Sequence, residues 1–312
     1  MFKKKKNRLE LAGILTTVTA LRISAGRSSE PIGSDLPVIK DALGRPLIPG
    51  SSFKGALRSR LESFLRGINP SLAANPTIES EWAITNERLN GKNGIKEEVE
   101  QELRQLYPRD NQSGERNARR DSLLTDKIFR ETDLASHLFG SPWLSSKFQV
   151  RDLTVLPDAW FGQYQERDGV AIDRDTETAA DGKLYDFQVV PAGTPFEFRA
   201  IIENAHDWEL GLLMIGLHQF ETEQIPLGGG RSRGLGVVKL NIDDVWWIDY
   251  PKDKPQELIT YLQRLVAGEK DHYKLDPETF MENKQDWTNA FITYLNQKIS
   301  VSSESEIEST AL

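Results

Sequence analysis

The sequence predicts an α+β protein, and three observations carry that expectation. β-rich runs recur at residues 9–23, 148–156, 185–190, 195–203 and 237–242; two segments of helical apolar spacing, 50–66 and 208–220, stand between them; and a glycine-rich loop leads straight into the last strand. Strand, helix, strand, strand, helix, strand is the order of a βαββαβ core.

Residues 9–23, LELAGILTTVTALRI, are rich in β-branched and aliphatic side chains with partial alternation, and read as the first strand. The lysines at 3–6 before it read as a solvated tail, and 25–34 as a loop of small and polar residues. Residues 32–61, IGSDLPVIKDALGRPLIPGSSFKGALRSRL, hold a loop, a turn and a helix start. Pro37 and Pro46 fix φ on either side of a short β-rich run at 38–41, and Leu43-Gly44-Arg45-Pro46 makes a turn, with Asp41 a structural residue before it. After Pro49-Gly50, Ser51 and Ser52 are expected at the N-cap of a helix with Leu57, Leu61, Phe64 and Leu65 as its apolar arc.

From 67 to 131 the composition changes. NPSLAANP, NGKNG and RDNQSGERNARRDS are turn-rich and EEVEQELRQLY is a helical island, so the stretch reads as an insertion whose Arg109, Arg116, Arg119 and Arg120 lie in solvated loop. TDLASHLFG (132–140) reads as a capped helix ending at Gly140, with His137 packed rather than catalytic. Residues 159–186 are charged and poor in large apolar side chains, interrupted by Val170 and Ile172, and read as a projecting β-hairpin. Residues 1–250 are thus expected as one domain carrying the 67–131 insertion and the 159–186 hairpin. A helical extension follows over 251–299, with helices at 255–266 and 286–298, and 300–312 lacks the apolar content for a core and reads as disordered.

Composition bounds function. With no cysteine, a disulfide framework, a thiolate zinc site and a thiol nucleophile are all excluded. No apolar run reaches membrane-spanning length, and the basic start is not followed by a signal-peptide core, so a cytoplasmic protein with no membrane partner is expected. Net charge is -8, from 39 Lys+Arg against 47 Asp+Glu, which is unusual for a free-standing nucleic-acid binder and demands a local basic track.

Two segments offer that track. Lys54 and Arg58, four apart on the helix opened by Ser51 and Ser52, set two cations beside a helix N-terminus, the arrangement a phosphate backbone requires. LGGGRSRGLGVVKL (227–240) places five glycines within nine residues; Gly228, Gly229 and Gly230 allow close backbone approach, and Arg231 and Arg233 add charge. No Gly-Lys-Ser/Thr follows a first glycine at Walker spacing, the loop precedes a strand rather than a helix, and it does not fit the dinucleotide fingerprint.

Taken together, IGSDLPVIKD (32–41), PLIPGSSFKGALRSRLE (46–62), HLFG (137–140), IDRDTETAADGKLYDFQVVPAGTPF (172–196) and GGGRSRGLG (228–236), in this order, resemble the RAMP superfamily of CRISPR-associated proteins, and within it the backbone subunit of type III effector complexes, which serve antiviral defence. The likeness covers most of the chain. It implies a ferredoxin-like (RRM-like) core, with the glycine-rich loop lying against the first helix. It implies an RNA-guided endoribonuclease, active within a complex, that holds guide RNA through Ser51, Ser52, Lys54, Arg58 and the 228–233 loop. Asp35 corresponds to the catalytic aspartate, which binds Mg²⁺ or another divalent cation or helps to deprotonate a ribose 2′-hydroxyl. The hairpin corresponds to a thumb that wedges between guide and target bases, with Val170, Ile172 and Arg174 as its candidates. Guide RNA, complementary target RNA, other complex subunits and further copies of the chain are the implied partners. Two other readings stand beside this one: a guide-binding subunit without cleavage, and a guide-processing endonuclease, which needs a well-placed histidine, whereas His137, His206, His218 and His272 lie apart from the Asp35 and glycine-loop motifs.

Overall fold

Strand β1 (Asn7–Thr17) pairs antiparallel with a neighbour on each side and is the centre of the structure. The computed structural model describes residues 6–24, 26, 34–108, 114–172, 179–250 and 254–310; Lys3, Arg109 and Arg174 lie outside the described residues. In chain order the elements after β1 are β2 (Leu47–Ile48), α1 (Gly50–Ile68), α2 (Asn86–Asn90), α3 (Ile95–Leu106), α4 (Gly114–Glu131), α5 (Leu134–Phe139), β3 (Phe148–Val150), β4 (Leu153–Thr154), β5 (Gln165–Ile172), β6 (Ala179–Val189), β7 (Pro195–Glu203), α6 (Asp207–Glu221), β8 (Val238–Asp249), α7 (Pro255–Ala267) and α8 (Pro277–Thr310).

The main sheet has the order β3-β7-β1-β8, antiparallel throughout. Alternation decides its inner face: Leu9, Leu11 and Leu15 of β1 lie beside Phe196, Phe198, Ala200 and Ile202 of β7, all buried. Helices α1 and α6 cover that face, with Phe53 stacked on Phe220 at 4.4 Å and tilted on Phe198 at 5.1 Å. Gly13 sits at the β1–β8 bulge, where a Cβ would overlap the backbone of Asn241.

Helix α6 is apolar all round because it is covered twice. One side meets α1, where Gly216 lies against Leu57 and Leu61; the other meets α8, whose Trp287 backbone crosses Gly211. The expected helical extension is therefore a layer of the main core, contributing Trp287, Phe291 and Leu295. α7 forms a separate cluster through Tyr261 with Trp246 and Ile248 of β8 and with Tyr250 just after it.

Several expectations are corrected. β1 ends at Thr17, because Thr17 pairs with the Gly193–Thr194 turn and Val18 and Thr19 turn towards Val237; beyond it only single bridges at Leu21 and Ser24 continue the extended course. The 148–156 strand is split, β3 pairing with β7 and β4 with β2. The insertion is mostly helical, and the first half of the 18-residue α4, residues 114–122, falls on a stretch that the sequence reads as turn-rich. Its Arg, Glu, Lys and Leu residues support a helix well, and Leu123 packs on Val99 and Leu103 of α3. α8 begins at Pro277 and continues to Thr310, with no break at Ser300; no Pro or Gly follows Pro277 to end it.

Candidate nucleic-acid interface and active site

The segment around Asp35 runs beside strand β6. The Leu36 N–H donates to the Asp186 carbonyl at 3.2 Å and the Gln188 N–H donates to the Leu36 carbonyl at 3.1 Å, so the loop adds a short parallel rung to the base of the β5–β6 hairpin. This rung fixes Asp35, whose Oδ2 accepts the Asp186 N–H at 3.3 Å. Across the hairpin Asp186 faces Asp168. Burial and the nearby Asp168 and Asp35 carboxylates push the Asp186 carboxyl above its ordinary range, so negative charge is concentrated where Asp35 stands. Among the described residues no group of three or more His, Cys, Asp or Glu is arranged to hold a metal.

The glycine-rich loop reaches the same place from the other side. Gly228 and Gly230 adopt φ of +72° and +80°, and the Gly229 N–H donates to the Arg22 carbonyl at 2.8 Å. Leu235 packs with Ala20, Phe187 and Val189, with Leu36 and Tyr185 at the margin, so one small cluster ties the loop, the hairpin base and the Asp35 rung together. Arg233 donates from Nη1 to the Tyr185 hydroxyl at 2.9 Å, and the Arg22 guanidinium lies 4.7 Å from the centre of the Phe187 ring. Both loop arginines remain exposed. These anchoring bonds run to the 20–22 segment and to β6, not to α1, where the family resemblance implies the loop lies.

The start of α1 differs from expectation. Its N-cap is Pro49, no side chain caps it, and neither Ser51 nor Ser52 takes that position. The Gly50 N–H instead donates to Asp152 Oδ1 at 2.8 Å, and the helix start sits so close to residues 150–151 that a Cβ at Gly50 would collide with their carbonyls. An acid 102 positions away in the chain has taken the capping role. Lys54 Nζ donates to Ser146 Oγ at 2.7 Å, and burial, with Arg58 nearby, pushes its pKa down. Arg58 donates from Nε to Glu62 at 2.7 Å and from Nη1 to the Gly140 carbonyl at 3.0 Å. Of the residues expected at the phosphate site, then, Arg233 is exposed against β6, which carries the Asp35 rung, and Arg231 is exposed in the same loop, while Lys54 and Arg58 brace the 136–146 segment.

The remaining expected residues are placed as follows. In the hairpin the Val170 backbone pairs with Leu184 and that of Ile172 with Ala179. In the insertion Arg116 and Arg120 both bridge to Glu100, at 2.8 and 2.7 Å. His137 is buried against Trp208 and Phe129; burial and the nearby Lys147 push its pKa down to about 4, so it is neutral at neutral pH. Lys147 itself meets the fully buried Glu209 at 2.5 Å. Sequence reasoning missed Arg22, Asp152 and Asp186, for none of which does a local pattern exist; each acts through a partner distant in the chain.

With this geometry in view, comparison with protein families matches the RAMP superfamily over residues 14–239, and the chain belongs to that superfamily. The chain is 24% identical to the CRISPR system Cms endoribonuclease Csm3 of Enterococcus italicus over 241 residues, which cover 77% of this chain and 92% of that protein. Shorter stretches match the Csm3 proteins of Mycobacterium tuberculosis, 46% identical over 56 residues (17% of this chain, 24% of that one), and Methanocaldococcus jannaschii, 47% identical over 58 residues (18% and 23%). No helix among the described residues is long and apolar enough to cross a membrane.

Proposed function

We propose that this chain is a backbone subunit of a type III CRISPR effector complex that binds guide RNA and cuts complementary target RNA at Asp35. The observation that carries the reading is the convergence of the Asp35 rung, the β5–β6 hairpin base and the exposed arginines of the glycine-rich loop on one small cluster. The order β3-β7-β1-β8, with α1 and α6 on one face, is taken as the ferredoxin-like core, and the hairpin as the thumb. Val170, Ile172 and Arg174 are its wedge candidates.

Guide RNA is held as a backbone, since base pairing supplies the sequence. Arg231, Arg233 and the N–H groups around Gly228, Gly229 and Gly230 take phosphates. Ser51, Ser52 and the two ammonium donors that Lys54 keeps beyond its bond to Ser146 extend the track, and Arg58 supports it by fixing the 136–140 segment.

At the cut site the Asp35 carboxylate orients and deprotonates the ribose 2′-hydroxyl. The 2′ oxygen attacks phosphorus, the bond to the 5′ oxygen breaks, and that oxygen takes a proton from water while Asp35 returns the one it accepted to solvent, giving a 2′,3′-cyclic phosphate. Mg²⁺ uses one or two carboxylates together with substrate phosphates, so Asp35 would hold a divalent cation jointly with RNA, and the ion would supply neutralisation of phosphate charge.

One observation favours a non-catalytic subunit instead: Asp35 Oδ2 already accepts a backbone N–H. Asp35→Asn separates the two readings, because the amide keeps an acceptor and loses the base. In a guide-loaded complex, Asp35→Ala and Asp35→Asn should both lower cleavage at least ~10²-fold while leaving target binding intact. A 2′-deoxy nucleotide at the cut site should block the reaction. Full-rate cleavage by Asp35→Asn would return Asp35 to a structural role.

A further inference from the structure

Outside the site described, Phe161 is the most exposed phenylalanine among the described residues, 65% exposed in the short connection leading into β5. It does not stand alone. Trp160 lies 5.5 Å from it with the ring planes 32° apart, and Tyr164 lies 5.0 Å from Trp160. Trp160 and Tyr164 are partly buried against the main core, so the outer ring rests on a fixed base. The base is pinned further: the Tyr164 hydroxyl donates to the Gly44 carbonyl at 2.7 Å, and Lys40 Nζ lies 4.4 Å from the centre of the Tyr164 ring. Asp41 organises the adjoining turn, accepting the Leu43 and Arg45 N–H groups at 2.9 Å each, and Leu43 stands out from it, 75% exposed.

An exposed aromatic on a rigid aromatic base, with an ammonium over the innermost ring, is the arrangement that single-stranded nucleic acid uses, because every base has a π face and every linkage a charge. The patch is also tied to Asp35 by two chain routes. Residues 35 to 40 run extended through bridges at Leu36, Val38 and Lys40, and five residues at ~3.3 Å each span about 16 Å. Along β5, Tyr164 to Asp168, which faces Asp186, is four residues or about 13 Å. At a stacked spacing of ~3.4 Å, these spans correspond to about four to five nucleotides.

We propose that Phe161, backed by Trp160 and Tyr164 and flanked by Lys40, is a stacking platform for a base of single-stranded RNA whose backbone passes Asp35. The proposal rests on the RNA-binding reading above but not on cleavage. A protein occupant is the competing outcome, since a partner surface would value Phe161 and Leu43 as apolar area, whereas a base requires the ring.

The test uses the full chain and RNA oligonucleotides carrying 2-aminopurine, whose fluorescence is quenched by stacking, with Phe161→Ala, Phe161→Leu and Phe161→Trp. Stacking predicts quenching on binding, about ten-fold weaker binding for both Ala and Leu, and retention by Trp, with unchanged melting temperatures. Lys40→Ala should lower the salt slope of binding by about one unit. Binding unchanged in Phe161→Ala, or failure of the chain to bind RNA, overturns the platform. If instead Phe161→Ala disrupts complex assembly and Phe161→Leu restores it, the patch contacts protein and the proposal falls. Loss of quenching with intact cleavage, or quenching without cleavage by the wild-type complex, separates failure of the platform from failure of the nuclease reading.

Discussion

The start of α1 and the glycine-rich loop present the same signal in sequence, two cations beside small residues, and the structure puts them to opposite uses. At α1 the charges turn inward: Lys54 meets Ser146, Arg58 meets Glu62 and the Gly140 carbonyl, and Asp152 closes the helix start. In the loop, among the described residues, Arg231 bonds to the nearby Gly228 carbonyl and Arg233 to the Tyr185 hydroxyl, and both stay exposed. A cation's availability is decided by which acceptors the fold brings to it. Glu62 is one helical turn from Arg58, but Ser146, Gly140 and Asp152 lie about 80 to 100 positions from the groups they meet, so local pattern carries no information about them.

The comparison can be broken first at the glycines. Gly228 combines φ of +72° with a position where a Cβ would overlap the Arg22 carbonyl, whereas Gly229 has open space around it and no positive φ. Gly228→Ala should therefore lower stability by about 3 kcal/mol in chemical denaturation, from strain and collision together, and Gly229→Ala by less than ~0.5 kcal/mol. Gly234, with φ of +78° but nothing near its Cβ, should fall between, at about 1 kcal/mol. Equal effects at all three would mean that the loop is not held in this shape.

The next effect is at Arg58. Its removal leaves the nearly buried Glu62 carboxylate without its closest partner and the Gly140 carbonyl without its donor, so Arg58→Ala should cost about 2 kcal/mol. Arg58→Lys should recover little, because one ammonium cannot reproduce a guanidinium fork reaching Glu62 and Gly140 together. A variant of unchanged stability that lost RNA binding would show that Arg58 faces phosphate after all, and the contrast between the two regions would fail.

Most of the core was legible in the sequence. Alternation marked the strand at 195–203, and apolar periodicity marked α1 and α6, because burial on one side of a sheet or helix leaves a local trace. α4 was not legible, since a helix with two buried residues in 18 is stabilised by α3 and by charged helix formers rather than by an apolar stripe. At the site, Asp35 and the glycine loop were visible through motif and resemblance. Their proximity was not, because it depends on Leu36 pairing beside Phe187, a contact between positions 151 residues apart that no spacing rule encodes. The α1 serines misled for the complementary reason: Ser51 and Ser52 suit an N-cap, but the N-cap is Pro49, two residues before Ser51, and Asp152 is already there.

The smallest expected change in stability carries the sharpest functional contrast. Arg233→Ala removes one exposed hydrogen bond to Tyr185, and Arg231→Ala one to the Gly228 carbonyl, so each should alter stability by less than ~0.5 kcal/mol. Each should nonetheless weaken guide RNA retention across unrelated guide sequences and lower the slope of log K against log salt by about one unit, as the loss of a single phosphate contact requires. Lys54→Ala, measured in parallel, should show the reverse weighting: a lower melting temperature, because the Ser146 hydroxyl loses its donor inside the 136–146 brace, and a smaller change in slope, because one ammonium position is already taken by protein. If Lys54→Ala shifts the slope as much as Arg233→Ala with no loss of stability, the two regions form one continuous phosphate track. If neither arginine moves the slope, the glycine-rich loop serves the hairpin base and not RNA, and the phosphate site must be sought elsewhere on the chain.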